Sequence, residues 1–354
     1  MLTCTLDLYT DYLLSSTGPT TATGLSRLLE GALSHDHITR WLSQTTYGPA
    51  DIWRQAKPLS RQAEARRPAG EFAVLIVDDS VLEKAHTDAN ELICTHWDHS
   101  QQRYVKGLNF VSLLYHAGEL ALPIAVELVR KTVPVYQPKT QQTSYQSPFT
   151  KNEYLQQMLR VAQQQVAYCY LLADSWYASA ENMTLVRALG HHFIFSLESS
   201  RTVALSEADR AQGRFHAVQS LVFPATQPLR VYLRAVRQAV LVTRQVFTNQ
   251  DGSQGMLYLV SSDTDLDQAQ MTTIYQRRWK VEEYHKSLKQ NASMGKAPTK
   301  TLATQATHFF AAVLAYTKLE VLKLKCGIGH FRLKAQLYTV GLKAMYQQLG
   351  QLRA

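Results

Sequence analysis

Four side chains in the C-terminal third, Tyr275, Arg278, Glu282 and Lys289, recur at intervals that a single helix face would collect. At about 100° per residue they fall on one stripe roughly 60° wide and about 21 Å long. Lys286 joins that stripe, whereas Val281, Tyr284 and Leu288 gather on a separate apolar face suited to packing. A phenol, a guanidinium and ammonium groups in line could follow a phosphate backbone while Glu282 holds a cation. A surface face knitted by charge pairs three, four or seven residues apart would have the same composition. Glu283 points off the stripe, which favours Glu282 as the acid. His285, also off the stripe, reads as a spectator to this chemistry.

Two aspartates stand at the ends of apolar runs. Phe72 to Val77 reads as a buried strand running into Asp78-Asp79-Ser80, and Tyr170 to Ala173 as another ending at Asp174. A carboxylate in that position loses hydration unless it is paired or binds a cation. Taken singly, each also suits a turn or helix cap. Together with Glu282, two such aspartates would supply the hard oxygen ligands that Mg²⁺ ions require. Trp176 and Trp279 could stack on an unpaired base, although packing is the commoner use of such rings.

The elements needed to bring these acids together follow from hydrophobic pattern. Tyr104 to His116 and Leu120 to Val129 are further strand candidates, forming with the first a meander. Thr150-Lys151-Asn152-Glu153 has the form of a capping box opening a helix to about Tyr168. Ser179 to Leu189 is a helix stopped by Gly190, and His192 to Leu197 a fifth strand. Phe215 to Val222, Leu229 to Phe247 and Gly255 to Ser261 make residues 200 to 263 β-rich. Asp265 to Gln290 reads as strongly helical, followed by helices near Lys300 to Leu324 and Arg332 to Leu349. The order is that of an α/β protein with a mixed sheet, its acids at strand ends where open α/β sheets place their sites.

Ahead of this block, residues 1 to 68 read as helical. Ser34 can cap a helix in which Ile38, Trp41 and Leu42 face inward, and a glycine turn at Gly31 precedes it. That outline fits a helix-turn-helix unit with His35, His37, Thr39 and Arg40 toward DNA, as well as a helical hairpin with no such role. Gln55 to Gly70, rich in Arg and carrying Pro58 and Pro68, looks like a basic linker. From Met271 onward, 14 Lys and Arg face only Glu282, Glu283 and Glu320, whereas the preceding residues carry a net charge of −2. A basic excess confined to one region suits a polyanion, because cations that neutralise phosphates release condensed counterions; a solvated Lys-rich helix face would look the same.

Composition narrows the remaining classes. With 45% hydrophobic residues the chain can bury a substantial core. The most apolar stretch, Phe110 to Val129, is broken by His116, Gly118, Glu119 and Pro123, so no membrane span is expected. The opening Met1-Leu2-Thr3-Cys4 has no basic run, and neither a signal nor a transit peptide is expected, which makes the cytoplasm the default compartment. Cys4, Cys94, Cys169 and Cys326 lie far apart, against both a zinc site and a disulfide framework.

The spacing Tyr275-x2-Arg278-x3-Glu282-x6-Lys289 resembles the Y-R-E-K motif of DDE transposases from bacterial insertion sequences. Asp78-Asp79-Ser80 and Leu172-Ala173-Asp174-Ser175 are similar to that group's two aspartate motifs, with Ser80 where Thr is common. The resemblance spans residues 72 to 290. It implies a ribonuclease-H-like core with a mixed five-stranded sheet, a β-rich insertion, and helical N- and C-terminal regions. The implied organisation is a helical DNA-binding region (1–68), the first part of the catalytic core (72–199), the insertion (200–263), the final core helix (264–298) and a basic helical region (299–354). It also implies Asp78, rather than Asp79, as the first ligand, with Asp174 and Glu282 completing a site for two Mg²⁺ ions, or Mn²⁺ in their place. Tyr275, Arg278, Lys286 and Lys289 would hold phosphates. The expected activity is binding of terminal inverted repeats, cleavage of the element's ends by hydrolysis and joining of the 3′ ends to double-stranded target DNA. The expected assembly is a homodimer on paired ends, in the bacterial cytoplasm and nucleoid-associated when on DNA. A transposase-derived DNA-binding protein without catalysis, or a ribonuclease-H-like nuclease that cuts without joining, would share these features.

Overall fold

The computed structural model describes residues 3–98, 101–139, 141–248 and 251–353; Met1 and Leu2, on which the reading of the opening residues partly rests, lie outside them. Four helices open the chain: α1 (Leu6–Ser15), α2 (Ala22–Leu28), α3 (His35–Gln44) and α4 (Pro49–Arg66). Strands β1 (Val74–Glu83), β2 (Ile93–Asp98), β3 (Arg103–Ala117), β4 (Leu120–Leu128), β5 (Val133–Gln137) and β6 (Gln142–Gln146) follow. Next come α5 (Lys151–Gln165), β7 (Tyr170–Ala173), α6 (Ala180–Ala188) and β8 (His192–Leu197). The β-rich stretch holds β9 (Thr202–Ala204), α7 (Glu207–Ala211), β10 (His216–Ala217), β11 (Leu229–Leu233), β12 (Ala239–Thr248) and β13 (Gln254–Ser261). Helices α8 (Gln268–Gln276), α9 (Trp279–Gln290), α10 (Leu302–Cys326) and α11 (His330–Arg353) close the chain.

The five strands expected from the sequence pair in the order β4-β3-β1-β7-β8, with β4 at one edge of the sheet. β1–β3 and β3–β4 are antiparallel, and β1–β7 and β7–β8 parallel. This is the mixed α/β arrangement of a ribonuclease-H-like core. Beyond β8 the sheet continues through β13, β12, β11, β9 and β10, so among the described residues the β-rich stretch extends the core sheet to eleven strands. Long β3 shares one edge between two partners, β2 along Arg103–Leu108 and β4 from Phe110 onward.

Side-chain alternation divides the interior. On β1, Val74 and Ile76 enter one core with Leu172, Tyr284, Leu288 and Phe309, whereas Leu75 and Val77 enter the other with Leu155, Leu159, Leu171 and Ala173. Helices α1, α3, α9 and α10 thus cover one sheet face, and α5 and α6 the other. The N-terminal helices are tied into the first core by Tyr9, whose hydroxyl lies 2.9 Å from His308 Nδ1 on α10. Ser34 caps α3 as its sequence suggests, and Thr150 and Glu153 form the capping box of α5.

Several expectations are corrected. Gln55 to Gly70 is not a linker: its first part is the body of α4, which buries Ile52, Ala56 and Ser60 at helical spacing against the protein. Its arginines occupy the solvent side, and Pro58 is accommodated within the helix. The meander is interrupted by the unforeseen β2, and the β5–β6 hairpin was also unforeseen; among the described residues it pairs with no other strand. Phe215 to Val222 contains only the two-residue β10 followed by a 3₁₀ turn, and Leu229 to Phe247 is two strands rather than one. The helix expected over Asp265 to Gln290 breaks near Arg277, although Arg278 keeps helical dihedrals and so preserves the direction of the chain.

Burial pushes three of the buried histidines, His96, His116 and His308, down to about 4. The neutral ring of His308 fits its contacts, with Nδ1 accepting from Tyr9 and Nε2 donating to the Met294 carbonyl at 3.1 Å. Because these folded values lie below the ordinary 6.5, the unfolded chain takes up protons first as pH falls. Their contribution is complete above pH 6.5 and is lost toward pH 4, at about 1.4 kcal/mol per unit for each histidine. Urea unfolding should therefore show a falling midpoint between pH 7 and 5, and His308→Gln should flatten that slope. Because the raised Asp78 acts in the opposite sense over this range, the test is the difference between the two proteins: equal slopes in the parent chain and His308→Gln would contradict the assignment.

Candidate active site

Strands β1 and β7 run parallel with Val74 opposite Tyr170 and Ile76 opposite Leu172. Two residues further along both chains come Asp78 and Asp174, so the same offset sets these carboxylates beside each other. Alternation places both on the face that carries Ile76 and Leu172, the face covered by α9. Asp79 belongs to the opposite series. It is bound there by Lys151 at 2.7 Å, the first residue of α5, and by the Tyr177 hydroxyl at 3.1 Å. Strand parity thus separates the two neighbours: Asp78 faces the α9 side and Asp79 the α5 side.

The two aspartates share a cleft of about 580 Å³ with Ser80, Trp97, Lys151, Trp176 and Lys289. Asp79, Asp98 and Glu198 also line it, making a strongly acidic wall. Burial, followed by the negative charges of Asp174 and Asp79, pushes the Asp78 carboxyl up to about 7. Burial also raises Asp174, against the pull of the Arg278 guanidinium. Each aspartate uses one oxygen locally: Asp78 Oδ1 accepts from the Asp79 amide at 2.9 Å, and Asp174 Oδ1 from the Trp176 amide at 3.1 Å. Asp174 therefore does cap the short 3₁₀ turn that follows, and the cap coexists with its place in the cleft.

Helix α9 and the residues just before it supply the cations. Lys289 Nζ donates to Ser80 Oγ at 2.9 Å, on the same side of β1 as Asp78. Arg278 pairs with Glu282 at 2.7 Å and attracts both Asp78 and Asp174. Tyr275 is buried at the end of α8, with the Arg278 guanidinium 5.9 Å from its ring centre. Arg278 and Lys289 thus lie toward the aspartates, with the Tyr275 ring against Arg278, whereas Glu282 is paired to Arg278 and does not join them. Lys286 is not with them. It is exposed, and its ammonium lies over the Phe331 ring of α11 at 5.2 Å.

His285, read from sequence as a spectator, lies against the aspartates. It is buried, packs edge-on to Phe110 at 5.4 Å and brings Nδ1 to 3.9 Å from Asp78 Oδ2. That separation is too long for a hydrogen bond, and burial with the nearby Lys289 charge pushes the imidazole down to about 3. The neutral ring forms a wall behind Asp78 and does not neutralise it. Its position between the apolar face and the charged stripe of α9 was the available signal. Trp176 and Trp279 are both more than half exposed, so neither packs inside as the commoner expectation had it; Trp176 forms part of the cleft wall. His35, Thr39 and Arg40 are exposed on α3 and His37 half-buried, away from this cleft, with His35 paired to Asp36 at 3.0 Å.

As they stand, no three His, Cys, Asp or Glu side chains among the described residues are close enough to ligate one ion. Two adjacent half-buried carboxylates that repel each other nevertheless have the donor chemistry of a hard-cation site. Glu282, 40% exposed, is held away by an ion pair with Arg278 one helical turn earlier. Pairs of that kind contribute little, about 0.3–0.5 kcal/mol on a helix surface. The residues fit a divalent ion provided that Glu282 exchanges Arg278 for it.

A cleft lined by carboxylates, with Arg278 and Lys289 beside it, thus lies on a ribonuclease-H-like sheet. A family model described as DDE superfamily endonuclease matches residues 3–220, and one described as transposase DDE domain matches residues 136–318. The chain belongs to the DDE transposase family and is a nuclease enzyme. No curated protein matches it. Among the described residues no helix is long and apolar enough to cross a membrane.

The raised Asp78 value carries a stability consequence. Its folded value of about 7 exceeds the ordinary 3.8, so protonation between these limits favours the folded state, and ionisation above pH 7 opposes it most fully. In metal-free buffer, Asp78→Asn should melt at a higher temperature than the parent chain at pH 8, with the difference closing by pH 4. An unchanged or lower melting temperature at pH 8 would show that the carboxylate is not held against its charge.

Proposed function

We propose that the chain is a DNA transposase that binds the terminal inverted repeats of its element, cleaves the ends and joins the 3′ ends to target DNA. The observation that carries this reading is the placement of Asp78 and Asp174 on one face by the β1–β7 register, with Arg278 and Lys289 alongside. Asp78, Asp174 and Glu282 would hold two Mg²⁺ ions, with Mn²⁺ able to substitute. When bound, these ions would lower the cost of attack on a phosphodiester and stabilise the leaving 3′-oxygen.

The protein's own groups then have distinct tasks. Lys289 holds a phosphate against the Ser80 end of β1, and Arg278, released from Glu282, balances the charge of a second phosphate. Tyr275 braces Arg278 from below. His285 and Phe110 exclude water behind Asp78, while Lys151 and Tyr177 hold Asp79 in the opposite wall of the cleft. These phosphate contacts position the strand and do not read bases. On this reading His35, His37, Thr39 and Arg40 on the outer face of α3 contact the element's ends, and residues 1–68 form the DNA-binding region. The core comprises 72–199 and 264–298, the insertion 200–263 and the basic C-terminal region 299–354. Lys286, exposed beside Phe331 of α11, would meet DNA outside this cleft. A homodimer on paired ends is the assembly that joins both ends to one target, in a bacterial cytoplasm and on the nucleoid when bound.

Purified protein incubated with a labelled element end, Mg²⁺ and a supercoiled plasmid should yield joined product, and EDTA should abolish it. Cleavage without joining would reduce the function to that of a nuclease. Asp174→Ala and Glu282→Ala should each lower cleavage by at least about 10³-fold, in line with loss of a positioned charge in a water-poor site, while keeping the fold. Full cleavage by either variant would remove that residue from the site. Lys289→Ala should weaken DNA binding and lower the salt slope of log K by about 1; an unchanged slope would exclude its phosphate contact.

A further inference from the structure

The β5–β6 hairpin stands apart from the main sheet. Among the described residues its two strands pair only with each other, and every residue of both is exposed or half-buried. A lone two-stranded hairpin is marginal in water, so a working state requires a surface that covers it. Its roots are nevertheless fixed. The Lys131 amide donates to the Glu91 carbonyl at 2.9 Å, and Lys131 Nζ to the Thr95 carbonyl of β2 at 2.7 Å. On the other side Ser147 Oγ lies 3.3 Å from the Tyr154 hydroxyl of α5, and Phe149 packs edge-on to the Tyr154 ring at 5.6 Å. Trp97 and Asp98 of β2 and Lys151 of α5 line the cleft that holds Asp78 and Asp174. The hairpin is therefore rooted on two elements of that cleft.

Its charge pattern points to a polyanion with a groove. Between Val129 and Asn152 stand Arg130, Lys131, Lys139 and Lys151, and no acid. The strands themselves carry no charge: Arg130 and Lys131 lie at the root and Lys139 near the tip. A clamp that gripped phosphates alone would carry its cations along the strands. Cations at both ends of an uncharged ribbon match two phosphate backbones with base edges between them. Each strand spans about 17 Å, and the major groove, about 12 Å wide, admits a two-stranded β-ribbon. The register places Val133, Gln142 and Gln146 on one face and Tyr136 and Tyr145 on the other. A glutamine pairs with adenine N6 and N7, and an apolar side chain meets the thymine methyl.

We propose that the β5–β6 hairpin enters the major groove of the duplex leading into the cleft and reads A·T pairs there. Gln142 and Gln146 pair with adenines and Val133 packs on a thymine methyl. Tyr136 and Tyr145, 61% and 58% exposed, donate their hydroxyls to the flanking phosphates. The inference rests on the reading of the cleft as a DNA site and adds to it a point of sequence readout separate from α3.

In EDTA, where no cleavage occurs, the full chain should select a motif containing A·T pairs from a library of random duplexes. Gln142→Ala with Gln146→Ala should erase the preference at those pairs and keep the rest of the motif. Placing 7-deazaadenine there, which removes N7, should weaken the parent by about 10-fold and leave the double variant unaffected. A chain in which a short Gly-Ser turn replaces residues 133–146 should keep its melting temperature and lose the same part of the motif. An identical motif from parent and double variant, a parent that prefers single strands to duplex, or a loss on replacing the hairpin that is blind to sequence would overturn the proposal. Cleavage and joining in Mg²⁺, read on the same parent sample, are separate outcomes. Their absence with the A·T selection intact would sink the transposase reading and leave this one standing; joining with a selection indifferent to the glutamines would do the reverse.

Discussion

The β1–β7 parallel register places two carboxylates of the same sign side by side where water is scarce. Asp78, midway along β1 rather than at a strand end as the apolar run suggested, and Asp174, just past the end of β7, each follow buried residues, and neither can turn away without breaking a hydrogen bond to nearby backbone. The resulting repulsion and desolvation appear in the upward displacement of both groups. Such a pair opposes folding, and a site of this kind persists only if the surrounding scaffold over-determines it. Here the scaffold is a wide sheet with a core on each face, in which β1 and β7 are central strands bordered by β3 and β8.

The neighbouring residues then sort by strand parity. On the α9 side, Arg278 and Lys289 offset the aspartate charges, and neutral His285 closes the apolar wall. On the α5 side, Asp79 has its own partners in Lys151 and Tyr177. Two acids adjacent in sequence thus occupy opposite electrostatic surroundings: one is satisfied by a fixed cation, the other lacks one in direct contact. The unsatisfied member is the one available to an exchangeable cation.

Much of this arrangement was legible in sequence. The apolar runs of β1 and β7, the capping box of α5 and the separated faces of α9 are local patterns, and each appears in the structure. The aspartate pairing could have been anticipated as well, because Asp78 and Asp174 follow their strands' apolar residues at the same parity, but only once β1 and β7 are known to be parallel neighbours. Other features depended on tertiary context. Helix α4 looked like a linker because Pro58 and its arginines masked a narrow apolar stripe of Ile52, Ala56 and Ser60. Strand β2 is short and polar, and it forms because long β3 leaves half of one edge uncovered. Lys286 and Lys289 share a helical stripe on an ideal wheel, yet one meets Phe331 of α11 and the other Ser80 of β1. Which neighbour a stripe residue meets is decided by what packs there, and no periodicity encodes that.

Under the proposed function, Glu282 would join the aspartates by side-chain movement on a fixed helix. Val281, Tyr284, His285, Ser287 and Leu288 on α9 are all buried, and Ser287 is tied through His330 to Glu320 on α10. The helix is therefore held on several sides, and its axis is not free to shift toward the aspartates. The Glu282 side chain, in contrast, is held by one partner on its own helix and is open to solvent. Exchanging that partner requires only side-chain rotation, whose cost is of the order of a rotamer change and a weak ion pair. A rigid helix bearing one loosely held carboxylate, set against two rigid carboxylates, confines the adjustment to a single side chain. The same exchange frees Arg278, so that the proposed closing of the acidic set around a cation and the exposure of a guanidinium to a phosphate would be one coupled event.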